Sequence, residues 1–154
     1  MDPMKLLKDD HDKVKGLLEK GDATTERGVK TRQELFATIK RELKVHEAIE
    51  EEIFYPALRE SASTKDIVLE AYEEHDVVNI IMGELESTPV EDETWGAKFT
   101  VMKENLEHHI EEEEGEMFKK ARRVLDESEL DALGDRMMAR KKELLNASKS
   151  ASLG

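Results

Sequence analysis

The sequence contains no cysteine, and only three prolines and eight glycines occur among its 154 residues. The absence of cysteine excludes disulfides, thiolate metal ligands and a cysteine nucleophile. Because proline and glycine are the residues that most often interrupt helices, their scarcity favours long helices. Charged residues make up 40% of the chain, which is typical of helices with solvated outer faces.

Long hydrophobic runs and an excess of positive charge are also absent. No apolar run approaches the ~20 residues of a membrane span. The formal net charge is −13 and the pI is about 4.9, which argues against nucleic acid or an anionic membrane as a partner. The chain starts with acidic residues where a signal peptide would be basic and then apolar, so we expect a cytoplasmic location.

Five helices and one domain are predicted from the length and the apolar periodicity. The helical ranges are 4–20, 29–59, 64–86, 94–125 and 128–146. Pro56 is expected to kink or end the second helix. The domain is expected to span 1–146, with its main bundle in 4–125, and 147–154 is expected to be a flexible tail.

Most of the histidines lie on the apolar stripe of a predicted helix, where residues recur at steps of three and four. Two glutamates share these stripes, one turn after a histidine. The inward-facing polar residues are predicted to be His11, His46, Glu50, His75, His109 and Glu113. His108 is rotated by about 100° from its neighbour and is expected to face outward or towards a neighbouring helix. The remaining acids, including Glu51 and Glu52, are expected to lie on solvated faces.

The two halves of the chain resemble each other. His11 and His46 are 35 residues apart, and His75 and His109 are 34 apart. Each half carries an acid–His–Asp sequence on one helix and His-x-x-x-Glu on the next. Two similar helix pairs predict an all-α, up-down four-helix bundle with an approximate twofold internal repeat, plus a C-terminal fifth helix.

A bound cation would explain why so many polar side chains face the core. Burying a histidine or glutamate costs several kcal/mol unless it finds a partner. A His and a Glu at i and i+4 project side by side, so the set offers four nitrogens and two carboxylates. These donors suit two iron ions, with manganese as the second choice. Mutual hydrogen bonding without a metal is the alternative.

The same residues resemble a known family. The order His … His-x-x-x-Glu … His … His-x-x-x-Glu is similar to that of the hemerythrin-like HHE cation-binding domain. The stretches HEAIEEEIFYPAL, from His46, and HHIEEEEGEMF, around His109, resemble helix signatures of that family. The resemblance covers residues 4–125 and leaves the fifth helix as an extension.

The resemblance implies a non-haem di-iron centre with carboxylate and oxo or hydroxo bridges. One iron would be held by His11 and His46, and the other by His75 and His109. Glu50 and Glu113 would bridge the two irons. Glu47 matches an acid that is an additional ligand in some members of the family.

The sequence also departs from the oxygen-carrying hemerythrins. They have a further histidine four residues after the first on the third helix, where this chain has Asn79, and a shorter acid in place of Glu113. One iron therefore lacks a nitrogen ligand, which argues against reversible oxygen carriage. Tyr72 and Tyr55 are the tyrosines that could fill this position. Tyr72, three residues before His75, is the candidate phenolate ligand, and the alternative is a tyrosine at the edge of the core.

Three functions remain open at the level of sequence. The first is an enzyme that consumes hydrogen peroxide, in a catalase-like reaction, or handles other reactive oxygen or nitrogen species. The second is an oxygen, NO or iron sensor or store that acts through a protein partner. The third is a metal-free helical interaction protein. The fifth helix either packs on the bundle or provides a surface for a homodimer or another partner.

Overall fold

The computed structural model describes the backbone of residues 1–153 and the side chains of residues 1–150. Seven α-helices and two π-helical segments follow one another along this part of the chain. The α-helices are α1 (Pro3–Asp22), α2 (Val29–Ile49), α3 (Tyr55–Arg59), α4 (Ala62–Glu86), α5 (Glu93–Glu112), α6 (Phe118–Val124) and α7 (Glu127–Leu153). The first π segment is Glu50–Phe54 and the second is Glu113–Met117.

Local sequence signals determine where the helices begin. Asp2 accepts a hydrogen bond from the Met4 backbone N–H (2.9 Å), and Pro3 occupies the first helical position of α1, where its missing N–H costs nothing. Asp92 caps α5 in the same way, by accepting from the Thr94 backbone N–H (2.7 Å). These caps hold the helix starts in place, and the short loops between them make consecutive helices antiparallel neighbours.

Each π segment joins two α-helices into one continuous rod. The first connects α2 to α3 and the second connects α5 to α6. The Tyr55 backbone N–H donates to the Glu50 carbonyl, and the Phe118 N–H donates to the Glu113 carbonyl. Each rod therefore contains one i→i+5 turn, and in both rods that turn begins at the glutamate of a His-x-x-x-Glu motif.

Four rods form the bundle, and α7 packs on its outside. The rod of α1 contacts those of α2 and α5, and α4 contacts α3 and α5, which closes the ring. The helix α7 lies against α1, α2 and the first π segment, and buries Leu130, Leu133 and Met137 in the core. Its apolar face is thus used within the chain, while binding of a partner to its outer face stays a prediction. Within residues 1–153, no helix is both long and apolar enough to cross a bilayer.

The core consists of two apolar clusters with a polar layer between them. Leu7 and Ile49 belong to the first apolar cluster, and Val14 and Leu43 belong to the second. Full burial of each such side chain is worth about 1.5–3 kcal/mol. His11 falls between the two clusters along α1, and the other inward histidines fall at the same level of their helices. The polar layer therefore crosses the bundle near its middle.

The predicted fold is confirmed, as an all-α bundle with a C-terminal helix. Helix ends differ by a few residues, and the π segments were not predicted. Pro56 does not end the rod, because it lies in the first turn of α3, one residue after Tyr55. The helix α7 continues to Leu153, beyond the predicted end at residue 146. Flexibility of 147–154 stays a prediction, and Gly154 lies outside the described residues.

Candidate metal centre

The structure brings the predicted inward-facing residues together in the polar layer. All are at most 6% exposed, and they are His11, His46, Glu50, His75, His109 and Glu113. They come from all four rods of the bundle. As predicted, His108 faces outward, with its side chain 67% exposed and 3.1 Å from Glu112.

Each inner glutamate lies between histidines of both halves. Glu50 Oε1 is 3.2 Å from His46 Nε2 and 3.3 Å from His75 Nε2. Glu113 Oε1 is 3.1 Å from His11 Nε2, and Glu113 Oε2 is 3.4 Å from His109 Nε2. Every one of the four Nε2 atoms therefore points to the centre of the bundle. Glu50 is shared by two groups of donor atoms whose members lie within 4.8 Å of one another.

An outer carboxylate accepts a hydrogen bond from the Nδ1 atom of each inner histidine. The pairs are Asp10 with His46 (2.9 Å), Glu74 with His109 (3.1 Å), Glu51 with His75 (3.1 Å) and Glu114 with His11 (2.7 Å). Asp10 and Glu74 directly precede His11 and His75, and each binds the histidine of the next rod in the same half of the chain. The acid after each inner glutamate binds the single histidine of the other half. These contacts fix the tautomer that leaves Nε2 free for a metal.

The prediction that the remaining acids lie on solvated faces was wrong for Asp10, which is buried, and it missed the histidine contacts of the partly exposed Glu51, Glu74 and Glu114. Glu51 and Glu114 each lie beside an inner glutamate in sequence, and regular helix geometry rotates them about 100° away from it. They bind histidines across the bundle instead. For Asp10 and Glu74, the sequence did offer a signal, because an acid directly precedes the histidine in both halves of the repeat.

Several buried atoms of the polar layer have no hydrogen-bond partner among the described residues. They are His11 Nε2, His46 Nε2, both carboxylate oxygens of Glu50, and Glu113 Oε1. The Nε2 and Oε atoms lie close to one another without hydrogen-bond geometry. Leaving each such atom unsatisfied costs about 1–3 kcal/mol or more. A cation coordinated by these atoms would satisfy all of them, so the donor set fits a metal ion.

The electrostatics also show a site that requires positive charge. Burial alone would lower the pKa of His46, but the charge of Glu50 and the hydrogen bond to Asp10 raise it to about 10. Burial likewise acts to lower the pKa of His109, and its contact with Glu113 contributes to raising it to about 11. Without a metal, protons on these histidines balance the inner glutamates.

Tyr55, which the sequence suggested beside Tyr72 without further support, lies next to the inner histidines. Its hydroxyl donates to Glu113 Oε2 (2.5 Å) and lies 3.4 Å from the Nε2 atoms of His75 and His109. In a regular α-helix a residue five places after Glu50 would point about 140° away from it. The first π segment, Glu50–Phe54, makes a wider turn than an α-helix. This turn directs Tyr55, which is fully buried, towards the site.

Tyr72 and Glu47, the two additional predicted ligands, differ in their contacts. The Tyr72 hydroxyl donates to the backbone carbonyl of Glu51 (3.4 Å) and, among the described residues, contacts none of the polar layer. Glu47 is 7% exposed, accepts from Asn79 Nδ2 (3.1 Å) through Oε2, and leaves Oε1 without a partner. Its donor atoms also lie within 4.8 Å of those of Glu51 and His75. Burial raises the pKa of Glu47.

A small cavity adjoins the polar layer. It is lined by the four inner histidines, by Asp10 and Glu47, and by the apolar side chains of Val14, Leu43, Leu106 and Ile110. Its volume is about 20 Å³ for the centres of water-sized molecules, enough for about one such molecule. Any ligand that reaches the inner histidines through this cavity must therefore be very small.

A four-helix bundle with four histidines and two carboxylates directed to its centre defines a class of helical cation-binding proteins. The sequence profile of the hemerythrin HHE cation-binding domain matches residues 2–121. The chain belongs to this family, and the polar layer is its candidate cation site.

Relatives of similar length occur in mycobacteria. The protein Rv2633c of Mycobacterium tuberculosis and the protein Mb2666c of Mycobacterium bovis are each 34% identical over 146 residues, which covers 94% of this chain and 88% of theirs. The crystal structure of a hemerythrin HHE cation-binding domain-containing protein from Mycobacterium kansasii, a homologue of Rv2633c, has a TM-score of 0.85 and 30% identity. The similarity covers 97% of this chain and 91% of that one, so the fifth helix is part of the shared fold.

Proposed function

We propose that this protein binds two iron ions in the polar layer and consumes hydrogen peroxide in a catalase-like reaction. The observation that supports it is the set of buried Nε2 and carboxylate atoms that lack a hydrogen-bond partner among the described residues. These atoms lie beside a cavity large enough for about one water molecule. Imidazole nitrogens suit iron, whereas carboxylate and water oxygens alone suit manganese better, so four inward histidines favour iron.

The ligands divide into two positions that share the glutamates. His11 and His46 would hold one ion, and His75 and His109 would hold the other. Glu50 and Glu113 lie between the two pairs and would bridge the ions. Tyr55 adds a hydroxyl oxygen next to the second pair. Bound iron would supply a change of oxidation state and open coordination positions.

The chain's own residues orient and enclose the reactants. The outer carboxylates hold the Nδ1 atoms, so each imidazole keeps a fixed direction. The cavity has room for about one water-sized molecule, which favours small reactants such as hydrogen peroxide, oxygen or NO over organic peroxides. Glu47 Oε1, buried and unpartnered in the same cavity wall, is placed to exchange a proton with such a ligand.

Peroxide disproportionation needs no external reductant, so the proposed iron site would be sufficient for the reaction. One peroxide molecule is reduced to water and a second is oxidised to oxygen, so electrons and protons balance between the two substrates. A role in protection against oxidative stress would follow from this reaction.

The first experiment measures metal content, the visible spectrum and peroxide-dependent oxygen release on the same preparation. We expect about two irons per chain, charge-transfer absorption, and oxygen release that is lost in His46→Ala and Glu50→Ala. The matched control is His108→Ala, which removes an exposed imidazole from α5 and should retain both iron and activity.

Two other outcomes would overturn the proposal in different ways. Two irons without oxygen release would support the alternative, a module that senses or stores oxygen, NO or iron through a partner. A chain that takes up no ferrous iron under anaerobic conditions, and whose stability is unaffected by chelators, would show that the polar layer is held by hydrogen bonds alone.

A further inference from the structure

The fifth helix reaches the candidate metal centre through one lysine. Lys141 of α7 donates to Asp10 Oδ1 (2.5 Å), while Asp10 Oδ2 accepts from His46 Nδ1 (2.9 Å). Both carboxylate oxygens of Asp10 are therefore used, one by each neighbour. The Asp10 side chain is 10% exposed and that of Lys141 is 22% exposed, so water competes only weakly for this contact.

This arrangement breaks the twofold repeat of the site. The carboxylate related to Asp10 by the repeat is Glu74, which binds His109. Among the described residues, neither Glu74 nor the other two outer carboxylates receives a hydrogen bond from a lysine or arginine. Of the four histidine–carboxylate pairs, only the pair of Asp10 and His46 is held by a cation from outside the bundle.

We infer that Lys141 is a positioning residue for the metal position formed by His11 and His46. The inference rests on the proposed metal binding. Lys141 holds the carboxylate of Asp10 in one orientation, and Asp10 in turn holds the imidazole of His46 with Nε2 towards Glu50. Through Lys141, the helix α7 thereby acts on the metal position of His11 and His46.

Loss of the lysine has a defined consequence. Without it, Asp10 can rotate towards water, and the His46 ring loses the partner that fixes its tautomer and direction. Removing the outer partner of a metal-bound histidine typically lowers metal affinity 10–100-fold. Because His75 and His109 have their own carboxylates, the second metal position should keep its affinity.

The test follows the release of ferrous iron to a colorimetric chelator from anaerobically loaded protein. In Lys141→Met, which keeps an unbranched side chain of similar length, we expect one of two iron equivalents to leave about 10–100-fold faster. The other equivalent should leave at the wild-type rate. Lys141→Arg, which keeps the charge and the donors, should restore slow release of both equivalents.

The matched control is Lys142→Met, which removes the same charge from the next, exposed position of α7. It should behave as the wild type. Asp10→Asn should accelerate the same single equivalent, and it provides the test if Lys141→Met does not fold.

Three results would overturn the inference. Equal release from Lys141→Met and Lys142→Met would show that Lys141 does not act on the site. Equal acceleration of both equivalents, with a lower free energy of unfolding of the metal-free chain, would assign Lys141 to helix packing only. A wild-type chain that binds no iron would overturn the proposed function as well, whereas the first two results leave it intact.

Discussion

Tyr55 and Phe118 occupy equivalent positions in the two halves of the bundle, directly after the two π segments. The Phe118 ring is stacked near that of His11 (6.4 Å between centroids), while the Tyr55 ring is 5.5 Å from that of His75. Only Tyr55 carries a hydroxyl. The two proposed metal positions would therefore differ in the side chain beside them, a phenol at one and a phenyl ring at the other, although their histidines are related by the repeat.

Replacement of Tyr55 by phenylalanine tests whether this hydroxyl is a ligand. Burial and the charges of Glu113 and Glu50 raise the pKa of Tyr55 well above its ordinary value, so the metal-free chain keeps the phenol neutral. A bound cation would instead favour the ionised phenolate. We expect iron-loaded Tyr55→Phe to lose any phenolate charge-transfer band, and to be about 1–3 kcal/mol less stable without metal because a Glu113 oxygen loses its donor.

The control for this prediction is Tyr72→Phe, because the Tyr72 hydroxyl donates to the backbone carbonyl of Glu51. Its spectrum should match that of the wild type. A phenolate band that persists in Tyr55→Phe and disappears in Tyr72→Phe would reverse the assignment.

The polar layer was predictable from sequence because it follows regular helix periodicity. His46 and Glu50, and likewise His109 and Glu113, are one α-helical turn apart, and both pairs precede or begin the π segments. Tyr55 lies beyond that point, where the period changes and a stripe drawn at 100° per residue points to the wrong face. Partners across the bundle, such as Asp10 for His46, depend on helix packing and could not be assigned from spacing alone.

Among the elements of the fold, the π segments need an explanation that does not involve proline. Pro56 follows the first segment, but Lys119 occupies the equivalent position after the second. Both segments form, so proline is not their cause. What the two share is a buried glutamate at the first residue and a buried aromatic ring at the residue after the last. The wider turn directs both side chains into the core, which fits the frequent location of π segments at functional sites.

The packing of α1 against α5 can be tested at a glycine. A methyl group on Gly21 would lie 2.2 Å from Cζ of the buried Phe99 ring. We expect Gly21→Ala to lower the free energy of unfolding by about 1–3 kcal/mol, as overpacking does. Urea unfolding monitored by circular dichroism provides the measurement.

Gly16 on the same helix is the matched control, because a methyl group there meets no atom within 4 Å. Alanine is a better helix former than glycine, so Gly16→Ala should raise stability by about 0.5–1 kcal/mol. Equal effects of the two substitutions would show that helix propensity, and not the contact with Phe99, governs both positions.

At the scale of the whole molecule, protons and metal ions compete for one layer of the core. The folded-state pKa values of His46 and His109, about 10 and 11, lie above the ordinary value of 6.5. Stability from these two groups is fully present below pH 6.5 and is lost as pH rises through the folded-state values. Metal binding requires the neutral imidazoles and releases their protons, so metal affinity should rise over the same range.

The stability of metal-free protein should therefore decrease between about pH 6.5 and pH 10, on the order of 1 kcal/mol per pH unit for each histidine. Iron-loaded protein should not show this decrease. Denaturant unfolding at several pH values, with and without a chelator, measures both. The variant His108→Gln should retain the slope, and a metal-free chain with no slope would contradict the prediction.

The π segments also affect how this chain is compared with its relatives. Each segment is equivalent to one additional residue within a helix that continues on both sides of it. Loss of one residue there, for example the half-exposed Glu52, would restore regular hydrogen bonding without breaking the rod, and it would leave Tyr55 four residues after Glu50, about 40° from it on the same face. A one-residue alignment gap just after a His-x-x-x-Glu motif is therefore best interpreted as the exchange of a π turn for an α turn, with the inward-facing residues on both sides still aligned, although by length alone it resembles the gaps found in loops.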